Sequence, residues 1–297
     1  MSSLRDDPLK LGIPKGSLEE ATISLFGRAG WKIRVHHRNY FPDINDGEIT
    51  ARLCRPQEIP NYVAEGVLDA GLTGRDWMVE TGADKEVVIV SDLVYSKASA
   101  APARWVLAVG GDSPYREPAD LAGKTVATEL TGVTGAFFRK LGIPVKVNYS
   151  WGATEAKVVD GLADAIVEVT ETETTIKAHG LRVIAEVMVT NTVLLANARA
   201  WDDPVRRRKI EQIDLLLQGA LRAEGLVCLK MNAPTAGLDH ILDLLPSLNS
   251  PTICPLRDER WLSLETVVSS GIVRDLIPRL REAGAEGILE YSLNKVI

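Results

Sequence analysis

The order in which apolar runs change their period constrains this chain most. Short β-branched runs alternate with segments of helical spacing from residue 9 to 94, and the alternation restarts after a link at 98–104. Strands are expected at 9–14, 32–37, 48–55, 68–73 and 87–94, then at 105–109, 125–128, 145–149 and 165–169. Helices fall between them, the first capped by Ser17 and running to about residue 29. Such alternation builds a parallel sheet covered on both faces, and two consecutive α/β units of similar size predict two lobes with a cleft between them. The apolar, β-branched stretch 182–198 reads as two strands returning through the lobes. The first lobe is therefore expected to be discontinuous, 1–103 with 183–224, and the second to span 104–182. An amphipathic helix follows at 202–221, and its basic run from Arg206 to Lys209 reads as a solvated face. From residue 225 to 297 the order is βαββαβ, a ferredoxin-like, ACT-like pattern.

Composition narrows the function. A chain of 297 residues holds two or three compact units. Asp and Glu number 40 against 34 Lys and Arg, for a net charge of −6, which argues against nonspecific binding to nucleic acid or anionic membrane. The first ten residues are polar, and no apolar run approaches the length of a membrane span. Cys54, Cys228 and Cys254 are odd in number with no CxxC, so reduced thiols and a cytoplasmic address are expected. His36 and His37 are adjacent and point to opposite strand faces, so they cannot share a metal. No dedicated protein metal site is expected.

Three turns carry the chemistry. An apolar strand ends at Glu168 and leads into Thr170, Glu171, Thr172, Glu173, Thr174 and Thr175, then into a helix. A carboxylate at a strand tip accepts hydrogen bonds from ribose hydroxyls, and a hydroxyl-rich loop at a helix start surrounds a phosphate. An ordinary strand with a threonine cap explains the same residues, and the two readings stay level on the residues alone. Lys15 and Gly16 follow the first strand, without P-loop spacing. Gly74, Arg75 and Asp76 follow another, where an arginine can clamp a phosphate or simply pair with the aspartate. Glu129 and Thr131 end a second-lobe strand and can complete the cleft.

Together these stretches resemble the ATP phosphoribosyltransferases of histidine biosynthesis in their long form. The matching pieces are Ile13 to Leu18, Val63 to Asp76, Gly161 to Gly180, Ser250 to Leu256 and Ala283 to Leu289. The resemblance implies two lobes like those of periplasmic binding proteins, with a C-terminal regulatory domain. It implies condensation of ATP with phosphoribosyl pyrophosphate (PRPP), with Mg2+ carried on the substrate pyrophosphate. Lys15, Arg75 and Glu168 would be catalytic, with positive charge also from Lys177. Residues 170–175 would bind PRPP, and Gly16, Asp76, Glu129 and Thr131 would line the rest of the cleft. Histidine would inhibit allosterically at Pro251, Thr252, Gly284 and Ala285, and the assembly would be a homo-oligomer, dimer and hexamer. A noncatalytic two-lobed anion-binding protein or a silent regulatory paralogue is the alternative. The chain departs from the family pattern at Glu173, where glycine is usual, at Glu168, where many relatives carry Asp, and at Ser17, where Arg is frequent.

Overall fold

The computed structural model describes residues 4, 6–37, 39–95, 102–246 and 250–297. Residues 98–101 of the expected link, and 1–3 and 5 of the polar start, lie outside them. The chain divides into two compact units, Met1–Asp214 and Leu215–Ile297.

The first unit opens with β1 (Leu9–Pro14), α1 (Glu19–Ala29), the short strands β2 (Ile33–Arg34) and β3 (Asp43–Ile44), and β4 (Ile49–Cys54). It continues with α2 (Ile59–Ala64), β5 (Ala70–Gly74), α3 (Arg75–Thr81) and β6 (Val87–Leu93). Leu18, not Ser17, stands at the start of α1, without a side-chain cap. The Gly16 amide there donates to Glu19 Oε2 at 3.3 Å. The strand expected at 32–37 shrinks to β2, because the segment after Arg34 is exposed and has no sheet neighbour to continue the ladder.

A second series runs through β7 (Ala103–Gly110), β8 (Thr125–Thr128), α4 (Thr131–Leu141), β9 (Lys146–Tyr149), α5 (Thr154–Val159), β10 (Ala165–Thr170) and α6 (Thr174–Ala178). It ends with β11 (Leu181–Thr190), β12 (Thr192–Asn197), α7 (Ala198–Asp202) and α8 (Pro204–Arg222). Two five-stranded sheets result, in the orders β4-β1-β5-β12-β6 and β11-β7-β10-β8-β9. These are the two α/β lobes. Strand β7 is buried on both faces, with Trp105, Leu107 and Val109 in one cluster and Val106 and Ala108 in another, as a strand between two helical layers requires.

The return to the first lobe comes later than expected. Strand β11 pairs antiparallel with β7 in the second sheet, and only β12 joins β5 and β6 in the first. The chain therefore changes sheet at Asn191, not at residue 183. Both strands are apolar and β-branched, so composition alone cannot separate them. The basic run on α8 is a solvated face only at Arg207 and Arg208, which are exposed. Lys209 is 6% exposed and donates to Asp46 at 2.7 Å and Glu48 at 2.8 Å. Arg206 pairs with Asp69 at 2.8 Å. These cations tie α8 to acidic loop residues of the first unit.

The second unit contains β13 (Leu226–Pro234), α9 (Leu238–Leu244), β14 (Thr252–Pro255), β15 (Trp261–Ser269), α10 (Ser270–Glu282) and β16 (Glu286–Ser292). Its sheet order is β14-β15-β13-β16, antiparallel throughout, which is the ferredoxin-like arrangement. Val227, Leu229, Met231 and Ala233 alternate along β13 and meet Ile241 of α9 and Val273, Leu276 and Leu280 of α10. The end of α8 belongs with this unit, since the Val296 amide donates to the Gly219 carbonyl at 2.9 Å. Among the described residues, no helix is long and apolar enough to cross a membrane.

Candidate active site

Parallel strands bring their C-terminal ends to one edge, and both lobes use this. Strands β1, β4 and β5 run parallel, as do β8, β9 and β10. A cavity of about 730 Å³ lies at these ends within the first unit, a size suited to a small-molecule substrate. From β1 it takes Lys15 and Gly16, from β4 Arg55 and Gln57, and from β5 Gly74 and Asp76. The second lobe supplies Trp105, Glu129, Thr170, Glu171, Thr172, Thr174 and Thr175. Asn191, at the change of sheet, lines it as well.

Local geometry holds these groups. The Lys15 amide donates to the Cys54 carbonyl at 2.7 Å, extending the β1–β4 ladder, and its ammonium lies 4.3 Å from the Tyr40 ring centroid. Asp76 is buried in the first turn of α3. Its Oδ2 accepts from Trp105 Nε1 at 2.6 Å and its Oδ1 from the Trp77 amide at 2.9 Å. Burial raises the Asp76 pKa against the pull of these donors. Gly74 is required beside it, since a Cβ there would stand 2.0 Å from Asp76 Oδ1. In the threonine loop, Thr170 Oγ1 accepts from the Glu173 amide at 2.7 Å, and the hydroxyls of Thr172 and Thr174 are 2.8 Å apart.

Some expected site residues do not reach the cavity. Arg75 is absent from its lining: the guanidinium donates to Asp92 of β6 at 2.5 Å, while the Arg75 amide donates to the Asn191 carbonyl. Asp92 is held below the usual carboxylate range by that arginine and by Asn191. Thr131 also stays outside. Its hydroxyl donates to Glu80 of α3 at 3.2 Å, and the same carboxylate accepts from the Gly132 and Val133 amides at 2.8 Å each. Glu80 thus fills the start of α4 from the other lobe. Glu173 turns outward to Arg104 at 2.9 Å and Lys177 at 3.1 Å, and neither Glu173 nor Lys177 lines the cavity. Its backbone φ of 60° is left-handed, the conformation for which glycine is the usual residue. Glu168, expected in the site, is not among the lining residues, although its neighbours Val169 and Thr170 are. Its pKa is pushed up to about 7 by burial, against hydrogen bonds from Thr154 and the Val169 amide.

Arg55, Gln57, Trp105 and Asn191 are cavity residues that the sequence reading passed over. Arg55 was within reach of the rule applied to Lys15, since it follows the strand next to β1. Trp105 and Asn191 had no such signal, because their places depend on which strands pair.

In the second unit, Thr252 starts β14 and Gly284 and Ala285 precede β16. These strands form opposite edges of the four-stranded sheet, about 14 Å apart at normal strand spacing. Within one copy, the four residues expected to hold histidine therefore do not converge. The Gly284 and Ala285 amides are also already bonded to the end of α10, through Arg281 and Leu280 carbonyls.

A family model described as "HisG: ATP phosphoribosyltransferase" matches residues 55–219, and one described as "HisG, C-terminal domain" matches 223–295. The chain belongs to the ATP phosphoribosyltransferase family. It is 74% identical over 290 residues to the ATP phosphoribosyltransferase of Nitratidesulfovibrio vulgaris (strain DP4), covering 98% of each chain. The corresponding protein of Solidesulfovibrio magneticus is 65% identical over 292 residues, 98% of this chain and 99% of its own. Among solved structures, the ATP phosphoribosyl transferase (HisG:HisZ) complex from Thermotoga maritima matches with a TM-score of 0.60 and 27% identity, over 71% of this chain and 96% of that one. This family membership makes the chain a pentosyltransferase of histidine biosynthesis.

Proposed function

We propose that the cavity condenses ATP with PRPP, giving 1-(5-phosphoribosyl)-ATP and pyrophosphate, the first step of histidine biosynthesis. Adenine N1 attacks ribose C1 as the bond to pyrophosphate breaks. Catalysis then lies in placing two polyanions and stabilising the departing charge. The observation that carries this reading is the meeting of Lys15 and Arg55 with the threonine loop at strand ends of two sheets. Lys15 and Arg55 supply positive charge, and Thr170, Thr172, Thr174 and Thr175 donate to the 5′-phosphate. Glu168, beside the lining Val169 and Thr170, accepts from the ribose hydroxyls when ionised. Arg75 enters only indirectly, by fixing Asn191 through Asp92. Magnesium arrives with the PRPP pyrophosphate and offsets its charge.

The outward turn of Glu173 favours an enzyme over a silent paralogue, because the residue that departs from the family pattern leaves the cavity uncharged at that point. Histidine inhibition belongs, in this reading, to the second unit of a cytoplasmic homo-oligomer. Its separated edges would contribute to one amino-acid site only between copies. Incubation of the full chain with ATP, PRPP and magnesium tests the reaction: pyrophosphate release that needs all three supports it, and its absence from folded protein refutes it.

A further inference from the structure

We infer that Glu129 accepts the proton that adenine loses during ribosyl transfer. The inference rests on the reaction proposed above. As the N1 lone pair bonds to ribose C1, the C1–O bond breaks and its electron pair leaves on pyrophosphate. Adenine then carries a positive charge shared between N1 and the exocyclic amino group. Loss of one N6 proton then gives the neutral imino form and removes that charge, a step that a base close to the ring assists.

Among the described residues no histidine lines the cavity, and its carboxylates are Asp76, Glu129 and Glu171. Asp76 has a donor on each oxygen, Trp77 N on one and Trp105 Nε1 on the other, and serves to join the lobes. Glu171 sits in the threonine loop, where the 5′-phosphate would be its neighbour. Glu129 stands at the C-terminal tip of β8, half-buried, between Leu130 and the fully buried Thr128.

The charged groups acting on Glu129 are acidic. Asp76 of α3 faces it, and Glu129 in turn acts on Glu168 of β10. Glu80, the other carboxylate of α3 near this end of β8, is committed to the start of α4. Among the described residues no cation pairs with Glu129. Burial first, and then Asp76, raise its pKa above the ordinary carboxylate value, which improves it as a base near neutrality. A carboxylate without a partner cation gains one only when adenine becomes positive. That attraction is absent in the ground state and present in the transition state, the condition for an interaction to raise kcat.

Steady-state kinetics of the full-length protein test this. Glu129→Gln keeps the shape and removes the base. It is expected to lower kcat about 100-fold, with the KM values for ATP and PRPP within about threefold, a margin near the energy of one weak hydrogen bond. The acidic limb of the wild-type pH–rate profile should vanish. Glu129→Asp, which retains a base on a shorter arm, should recover part of the rate and keep that limb, and circular dichroism would confirm that both variants fold. Wild-type kcat and an intact acidic limb in Glu129→Gln would overturn the assignment, as would a raised KM for ATP at unchanged kcat. Wild-type protein that released no pyrophosphate would instead overturn the reaction itself.

Discussion

Arg104 Nη2 stands 2.9 Å from Glu173 Oε1, so the charge of this carboxylate is drawn away from the cavity it adjoins. Lys177, one helical turn on, holds the other oxygen at 3.1 Å, and the two cations lower the Glu173 pKa, Lys177 more than Arg104. The left-handed backbone at Glu173 costs a non-glycine residue about 1 kcal/mol.

Substitutions at Glu173 should therefore separate backbone from charge. Glu173→Ala loses both ion pairs and keeps the strained φ, so its melting temperature should fall below the wild-type value. Glu173→Gly loses the pairs and relieves the backbone, and should lie above Glu173→Ala. PRPP affinity of Glu173→Gly should stay within about threefold of wild type, less than one full hydrogen bond is worth. Thermal scans and calorimetry check both. A large gain in PRPP affinity would place the Glu173 charge on the phosphate.

Asp76 and Trp105 make the second test, because their hydrogen bond joins α3 of one lobe to β7 of the other. Asp76→Ala leaves the indole N–H of Trp105, 2% exposed, without its acceptor, at a cost of about 1–3 kcal/mol. Gly74→Ala drives a Cβ into the same carboxylate and should destabilise through the same bond. The double variant should then cost less than the two single costs added. Urea titrations followed by tryptophan fluorescence measure this, and strict additivity would count against a shared cause.

Glu168 predicts a dependence of stability on pH. Its carboxyl holds a proton up to about 7 in the folded chain, against an ordinary value of 4.5. Between those values the folded state binds more protons than the unfolded state, so this contribution to stability is full below the lower value and declines as pH rises through the window. Glu168→Gln removes the decline. Relative to wild type it should gain stability from about pH 5 to about pH 8, by an amount on the order of 1–3 kcal/mol. Glu168→Ala, which removes the ribose acceptor outright, should bind PRPP more weakly by upwards of about 1 kcal/mol. Urea titrations at the two pH values and calorimetry with PRPP read the two effects separately.

The C-terminal unit should carry the histidine response. Its core is closed by its own strands and helices, from Val227 on β13 to Leu280 on α10. Removing residues 225–297 should abolish inhibition by histidine while ATP and PRPP still bind the remaining unit. A folded truncated chain that stayed as sensitive to histidine as the full one would move the sensor into the first unit. Inhibition assays on both lengths decide the matter.

Local chemistry in the sequence determined the elements and where to look among them. The period of the apolar residues marks β1, β4, β6, β8 and β10 nearly to the residue, and the βαββαβ order marks the second unit. Lys15, Asp76, Glu129 and the threonine loop follow from one local rule, that ligands gather at strand C-terminal ends. Only the tertiary structure decided which side chains turn inward. Arg75 follows its strand as Lys15 does, yet Asp92 from β6 takes its charge away from the cavity. Arg55 and Trp105 enter because β4 lies beside β1 and α3 crosses to β7. The change of sheet at Asn191 separates two strands of the same composition, and Thr252 and Gly284 part because β14 and β16 take opposite edges. Each of these depends on pairing between residues far apart in the chain. The period of a strand sets which side chains share a face, but the neighbouring strand that sets what the face meets is chosen by long-range packing.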